Sequence, residues 1–171
     1  TDEALALIFS GTPSNQQVGF EIEKGRIFSA KMIDKVLPYQ QNGYWLDFGF
    51  GNGSLLFTAQ EFGFDPVGID LRISNVKIMK QLGFEVYCEH INKLKFLKDF
   101  SVISVMDVLE HVPYPKEILK ELSSLLKKGG CMLISMPNSE SMVWRLLDAS
   151  NNNPYMTEIE HYHNFSRSNL Y

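Results

Sequence analysis

The 171-residue chain has few cysteines, no long apolar run and no excess of basic residues. Cys88 and Cys131 are far apart among apolar neighbours, which excludes a disulfide framework and favours a reducing compartment, so we expect the cytoplasm. A formal net charge of -4 lacks the basic footprint that a nucleic-acid backbone or an anionic membrane surface needs. No run approaches the roughly 18 apolar residues of a spanning helix, and the first residues lack a signal-peptide layout. These absences leave a small molecule as the expected partner.

Short apolar runs alternate with longer amphipathic ones along the chain, which is typical of βα units. We therefore predict one α/β domain, a mostly parallel sheet with helices on both faces. Residues 1–40 would form a lead-in and a helix, 41–136 the ligand-binding core, and 137–171 a tail on the acceptor side. The predicted strands are 44–48, 66–69, 84–88, 102–106 and 131–135. A helix is predicted from Pro115 through the basic pair before Gly129.

A glycine-rich turn, DFGFGNG at residues 47–53, stands where the first predicted strand gives way to a helix. Glycine allows a tight turn there and lets a ligand approach the backbone, and parallel sheets bind ligands at this end of their strands. Ser54 stands where a dinucleotide loop carries its third glycine. The carboxylate of Asp47 would repel a pyrophosphate and suits a cationic or amino-bearing ligand.

A second acid, Asp70, ends the second predicted strand 21 residues after Gly49, the position at which a carboxylate grips the hydroxyl pair of a ribose. Taken singly, a glycine-rich turn is often only a turn, and Asp70 would equally serve as an N-cap. Together they favour a ligand with a ribose, an amino group and no pyrophosphate. S-adenosylmethionine fits that description better than NAD.

Four motifs in order resemble those of the class I S-adenosylmethionine-dependent methyltransferases: LDFGFGNG (46–53), VGID (67–70), DVLEHVP (107–113) and LKKGG (126–130). The resemblance covers residues 19–171. The LEHV stretch and the tail EHYHNFS (160–166) are most similar to the subgroup with ubiquinone-biosynthesis O-methyltransferases and natural-product or sugar methyltransferases. The resemblance implies a Rossmann-like methyltransferase fold. It also implies transfer of a methyl group from S-adenosylmethionine, giving S-adenosylhomocysteine, to an oxygen, nitrogen or carbon of a small molecule.

The resemblance also implies roles for individual residues. Asp47 and the glycines of the turn would hold the methionine part, Asp70 the ribose, and Leu71 would lie beside the adenine. Arg26 would contact the methionine carboxylate, or alternatively be a solvated surface residue. Phe50 stands where the family often has a small residue or cysteine, and its ring would crowd the methionine arm if it folded over the pocket. The predicted cofactor-binding set is Arg26, Asp47, Gly49, Phe50, Gly51, Gly53, Asp70, Leu71, Ile91, Met106 and Asp107.

His111, just after the fourth predicted strand, is the candidate catalytic base, because an imidazole titrates near neutrality and can remove a proton from the acceptor. The alternative is that Glu110 and His111 only pin the loop by hydrogen bonds to the backbone. His161 and His163 would share one side of an extended segment near Glu160, lining the acceptor pocket or packing the tail. No metal site is predicted there, because one short segment seldom brings its ligands to one ion.

Two other functions stay open from the sequence: a non-catalytic domain that binds S-adenosylmethionine, and an NAD-dependent reductase, which Asp47 and Ser54 disfavour. The family's sheet normally adds an antiparallel hairpin as strands six and seven. After Ser135 we expect only a helix, the tail and the start of a capped helix from Ser166, so we expect strands six and seven to be missing from a truncated chain. The oligomeric state is left open.

Overall fold

A computed structural model describes residues 17–96, 99–156 and 161–170. Its helices are α1 (Ile22–Val36), α2 (Ser54–Glu61), α3 (Ile73–Gln81), α4 (Pro115–Ser124) and α5 (Met142–Ala149). Its strands are β1 (Gly43–Phe48), β2 (Phe64–Ile69), β3 (Glu85–Tyr87), β4 (Phe100–Met106) and β5 (Leu126–Ser135). Short 3-10 turns occur at Ile91–Lys93, Leu109–His111 and Pro154–Met156.

The strands form one parallel sheet in the order β3-β2-β1-β4-β5. β1 lies at its centre, with Asp47 beside Gly68 of β2 on one side and Ser104 of β4 on the other. The order reverses on the two sides of β1, and open parallel sheets place their ligand crevice at such a point, here the carboxyl ends of β1, β2 and β4. The predicted α/β fold is confirmed.

Alternate residues of the central strands face opposite layers of helices, as the pleat requires. Trp45 and Val102 pack against α1 and α2 through residues such as Ile33. Leu46 and Ile103 face the other way and pack with Leu122 of α4. A third cluster packs Phe50, from the turn after β1, against Val76 and Met79 of α3. The predicted placement of helices on both faces follows from these side chains.

The largest error in the predicted elements lies between α4 and β5. α4 ends at Ser124, and β5 begins at Leu126, so the basic pair and the two glycines belong to the strand. The amide of Phe100 donates to the carbonyl of Leu125 (2.9 Å), which starts the β4–β5 pairing early. The register then shifts between Phe100 and Val102, and Gly129, at φ +79°, lies in this irregularity. The glycines therefore shape a bulge rather than end a helix.

Ser166 and Asn169 bond to each other across a turn at residues 167–169. The Ser166 amide donates to Asn169 Oδ1 (2.6 Å) and the Asn169 amide to Ser166 Oγ (3.3 Å). The bonds are reciprocal, as at a capped helix, but the described residues after Ser166 form a turn and not the expected helix. Among residues 17–96, 99–156 and 161–170, five strands are present and no helix combines the length and apolar character needed to cross a bilayer.

Candidate functional site

The glycine loop (residues 49–53) crosses the end of β2. The amides of Gly49 and Phe50 both donate to the carbonyl of Ile69, at 2.8 and 3.2 Å. Gly49 has φ +82°, and a Cβ there would lie 2.5 Å from Cγ2 of Val108, so only glycine fits. At Gly51, with φ +56°, no atom lies within 4 Å of the place a Cβ would take. The backbone of Gly51 is therefore open to close approach by a ligand.

Phe50 turns its side chain away from this opening. It is only 4% exposed and packs with Leu56, Val76 and Met79. Room for the ring comes from Gly68, where a Cβ would lie 2.7 Å from Phe50 Cδ1. The ring therefore does not fold over the pocket to crowd a methionine arm, and the backbone of Phe50 is the part left for contact with a ligand.

Asp47 lies buried at the end of β1, beneath the glycine loop. Its Oδ1 accepts from the hydroxyl of Ser104 (2.7 Å), and that hydroxyl accepts from Trp45 Nε1 (2.8 Å). Burial raises the pKa of Asp47 to about 7, the Ser104 hydrogen bond opposes the rise, and the nearby charge of Asp70 adds to it. A cation beside Asp47 would favour its charged form, so the position suits an ammonium or sulfonium group.

Asp70 lies at the end of β2 and is held by three hydrogen bonds. Its Oδ2 accepts from the amide of Gly51 (2.9 Å), and its Oδ1 accepts from the amide (2.8 Å) and Nε (2.9 Å) of Arg72. Asp70 thus ties the glycine loop to the β2–α3 turn. The carboxylate lies at the crevice, as its spacing from Gly49 predicts.

The other cofactor candidates lie in different surroundings. Leu71 is 37% exposed beside Asp70, whereas Ile91 is buried in the core beneath α4. Arg26 instead forms ion pairs on the helix surface, with Glu61 at 2.8 Å and Glu23 at 3.3 Å. Its guanidinium matches the surface alternative, and the expected contact with a methionine carboxylate is not supported.

The end of β4 is shaped by Asp107, which has φ +51°, a value that few non-glycine residues adopt. Its amide donates to the carbonyl of Ser135 (2.9 Å), and the hydroxyl of Ser135 donates to its Oδ1 (2.8 Å). Met106, directly before it, is half-buried against the core. Strained backbone of this kind clusters at functional sites, and here it turns the chain into the loop that carries His111.

His111 lies against the tail segment (residues 161–170). Its ring meets that of His161 edge-on, with centroids 4.6 Å apart. One oxygen of the buried Glu110 carboxylate and one nitrogen of each ring lie within 4.8 Å of one another. The spacing of these three groups could hold a metal ion. The sequence did not predict it, because the tail joins the loop only through tertiary contacts.

The tail segment is attached to the loop by its backbone. The amides of Tyr162 and His163 donate to the carbonyl of Glu110, at 2.8 and 3.3 Å, and His163 Nε2 donates to the carbonyl of Pro113 (3.3 Å). His161 and His163 therefore contact different parts of the loop. Glu160, expected beside them, lies outside the described residues.

An aromatic ladder supports His161 from the other side. Its ring stacks on Tyr155 (centroids 6.2 Å apart, planes at 15°), and Tyr155 stacks on Trp144 of α5 (5.1 Å, 10°). Periodicity could not reveal this ladder, since its members come from a helix, a turn and the tail. The predicted aromatic tail thus lies beside the predicted base.

Comparison with known proteins identifies the family. A family model described as "Methyltransferase domain" matches residues 24–171. The chain is a methyltransferase domain. The family inferred from the motifs is thereby confirmed.

Among curated proteins, the ubiquinone biosynthesis O-methyltransferase of Coxiella burnetii (strain Dugway 5J108-111) is 33% identical over 100 residues, which are 54% of this chain and 43% of that protein. The chain spans less than half the length of the curated relatives it matches. A putative methyltransferase from Bacillus halodurans C-125 has a similar structure, with TM-score 0.65, 19% identity, and 83% of this chain and 64% of that one covered.

A second solved structure, an S-adenosylmethionine-bound amino pentose methyltransferase from Micromonospora echinaspora, aligns with TM-score 0.58 and 13% identity over 78% of this chain and 55% of that one. At these identities, the two solved structures support the fold. The crevice fits the cofactor on its own evidence: a buried carboxylate, an open glycine backbone and an acid at the end of β2 lie together.

Proposed function

We propose that this methyltransferase domain serves transfer of a methyl group from S-adenosylmethionine to a hydroxyl oxygen of a small molecule, with His111 accepting the hydroxyl proton. The observation that carries the proposal is the grouping of His111, His161 and Glu110 at the carboxyl end of the sheet. The name of the Coxiella relative, an O-methyltransferase, agrees with an oxygen acceptor.

The bound cofactor would supply an activated methyl group, so the protein's main work is to hold acceptor and methyl in line. A hydroxyl becomes a better nucleophile as it loses its proton, and an imidazole can take that proton near neutral pH. One oxygen of the Glu110 carboxylate lies within 4.8 Å of a His111 ring nitrogen.

The cofactor would lie along the crevice. We assign Asp47 and the backbone of the glycine loop to the methionine part, and Asp70 to the ribose. Leu71 lies exposed beside Asp70, which supports a place beside the adenine. Ile91 would stiffen the adenine side from the core, and Met106 and Asp107 would line the crevice from β4.

The acceptor would lie on the side of the tail segment. The Trp144–Tyr155–His161 ladder offers flat apolar surfaces next to His111, which favour a ring-bearing acceptor. The net charge of -4 argues for such a small molecule and against nucleic acid. A cytoplasmic setting and the division into residues 1–40, 41–136 and 137–171 belong to the same proposal.

The test is a methylation assay on a panel of phenols, catechols, amines and thiols, together with calorimetric binding of S-adenosylmethionine and S-adenosylhomocysteine. His111→Asn should lower the rate on hydroxyl acceptors by roughly 10²–10⁴-fold. Its affinity for S-adenosylhomocysteine should stay within about twofold of the wild type. His163→Gln, a change to the neighbouring histidine that contacts Pro113, is the matched control and should keep most activity.

Three results would contradict the proposal. A His111→Asn variant that keeps the wild-type rate at every pH would remove His111 as the base. If only the amines of the panel are methylated, the acceptor atom is nitrogen and not a hydroxyl oxygen. If chelators abolish the wild-type rate and a divalent cation restores it, the grouping of Glu110, His111 and His161 binds a metal ion instead.

A further inference from the structure

The carboxylate expected to grip the ribose is largely occupied by its own chain. Asp70 Oδ1 accepts from the amide and from Nε of Arg72, and Oδ2 accepts from the amide of Gly51. The two side chains form an ion pair at 2.9 Å with little exposure to solvent, 2% for Asp70 and 13% for Arg72. Salt and water screen such a pair weakly.

The three hydrogen bonds to Asp70 limit how many further donors its carboxylate can accept. A carboxylate has about four lone-pair positions, two on each oxygen. The three bonds fill both positions on Oδ1 and one on Oδ2, which leaves room for one further donor. A ribose presents two adjacent hydroxyls, so both cannot bond to Asp70 while all three bonds persist.

Of the three donors, the Arg72 side chain is the one that can leave. The Gly51 amide is fixed by the glycine loop, whose neighbouring amides bond to Ile69. The Arg72 amide is fixed by the turn that leads into α3, where Val76 donates to the Arg72 carbonyl (3.1 Å). The Arg72 Nε lies at the end of a flexible stem and can swing away without moving the backbone.

We propose that Arg72 is a latch on the ribose site: its guanidinium holds the position on Asp70 that one ribose hydroxyl takes, and the cofactor must displace it to bind in full. The inference rests on the proposed role of Asp70. Since displacement breaks a charge-assisted hydrogen bond, the latch weakens binding of cofactor and product alike and aids release of S-adenosylhomocysteine. Arg72 thereby determines how many ribose hydroxyls the site reads.

The test compares wild type with Arg72→Met, which keeps the apolar stem and the backbone amide but removes Nε. Isothermal titration with S-adenosylhomocysteine should show roughly tenfold tighter binding to the variant. Lys77→Met, which removes an exposed positive charge from α3, controls for overall electrostatics and should leave affinity unchanged. Arg72→Lys keeps the charge without the planar fork and should fall between the two. Circular dichroism verifies that each variant folds.

A second measurement reads the hydroxyls directly, with adenosine, 2′-deoxyadenosine and 3′-deoxyadenosine as probes. In the wild type, one of the two deoxy compounds should bind almost as well as adenosine. In Arg72→Met, both should bind several-fold more weakly than adenosine.

Unchanged or weaker binding of S-adenosylhomocysteine by folded Arg72→Met would overturn the latch while leaving the cofactor site standing. The latch would also be overturned if wild type and Arg72→Met showed the same relative affinities for adenosine and the two deoxy compounds. If neither the wild type nor the variant binds S-adenosylhomocysteine at all, the proposed function itself fails, and the latch with it.

Discussion

At the residue scale, Asp47 combines two opposed demands. It is buried among core side chains, and its carboxylate accepts a hydrogen bond from the Ser104 hydroxyl. Core packing favours the neutral acid there, whereas the proposed contact with a cationic cofactor would favour the charged form. With a pKa of about 7, the group lies between the two states near neutral pH, so a ligand's charge can decide which one prevails.

This conflict predicts that Asp47→Asn stabilises the protein at high pH. The folded pKa of about 7 exceeds 3.8, the ordinary pKa of an aspartate, so the stabilising effect of the neutral acid is complete below pH 4 and is lost as pH rises to 7. The loss amounts to about 4 kcal/mol at most. Chemical denaturation should therefore give a larger stability gain for Asp47→Asn at pH 8 than at pH 5.

Asp65→Asn, at an exposed position of the neighbouring strand β2, is the control. An equal gain for Asp47→Asn at both pH values would show that Asp47 is already charged in the fold. Asp47→Asn should also weaken S-adenosylhomocysteine binding, since it removes the charge that would face the methionine part.

The site residues divide by what a sequence can reveal. Asp47, Gly49 and Asp70 were predicted, because spacing along two βα units determines where strand ends meet. Ser104 and Arg72 were not. Ser104 reaches Asp47 only through the β1–β4 pairing, and Arg72 bonds Asp70 through a side-chain conformation that spacing does not specify.

At the element scale, the glycine loop and β2 fit each other as a matched pair. The ring of Phe50 occupies the space beside Gly68 that any other residue would fill with its Cβ. The sequence predicted the turn but not the direction of Phe50, because that direction depends on a glycine in the adjacent strand. The early start of β5 was missed for a similar reason: pairing with Phe100, not local helix preference, begins the strand.

The match predicts that Gly68→Ala destabilises the protein by about 1–3 kcal/mol, because the new methyl group overlaps the Phe50 ring (2.7 Å) and crowds Leu56 (2.8 Å) and Val86 (3.0 Å). Combining it with Phe50→Leu should recover part of that loss, since the smaller side chain makes room. Urea unfolding of the wild type, both single variants and the double variant measures the coupling. Additive effects in this cycle would mean that the two residues do not compete for space.

At the scale of the whole molecule, backbone hydrogen bonds tie the tail segment to two other parts of the chain. It bonds to the loop after β4 through Glu110, and to the segment before α5 through Ser139, whose amide donates to the carbonyl of Phe165 (2.8 Å). The sequence predicted that an aromatic, histidine-rich tail would lie near the acceptor. It could not predict that backbone hydrogen bonds would fix His161 against His111.

This attachment predicts that the backbone of the tail, rather than its exposed side chains, supports catalysis. Tyr162→Pro removes the amide that donates to the Glu110 carbonyl, whereas Tyr162→Ala removes only a half-exposed ring and keeps that amide. We expect Tyr162→Pro to lower the methylation rate at least tenfold and Tyr162→Ala to change it by less than about threefold. Both variants should bind S-adenosylhomocysteine like the wild type, because the crevice around Asp47 and Asp70 lies on other elements. Hydrogen exchange at His163 should quicken in the proline variant alone. Equal losses of rate in the two variants would assign the effect to the tyrosine ring. A loss of S-adenosylhomocysteine affinity in Tyr162→Pro would show that the tail also affects the site around Asp47 and Asp70.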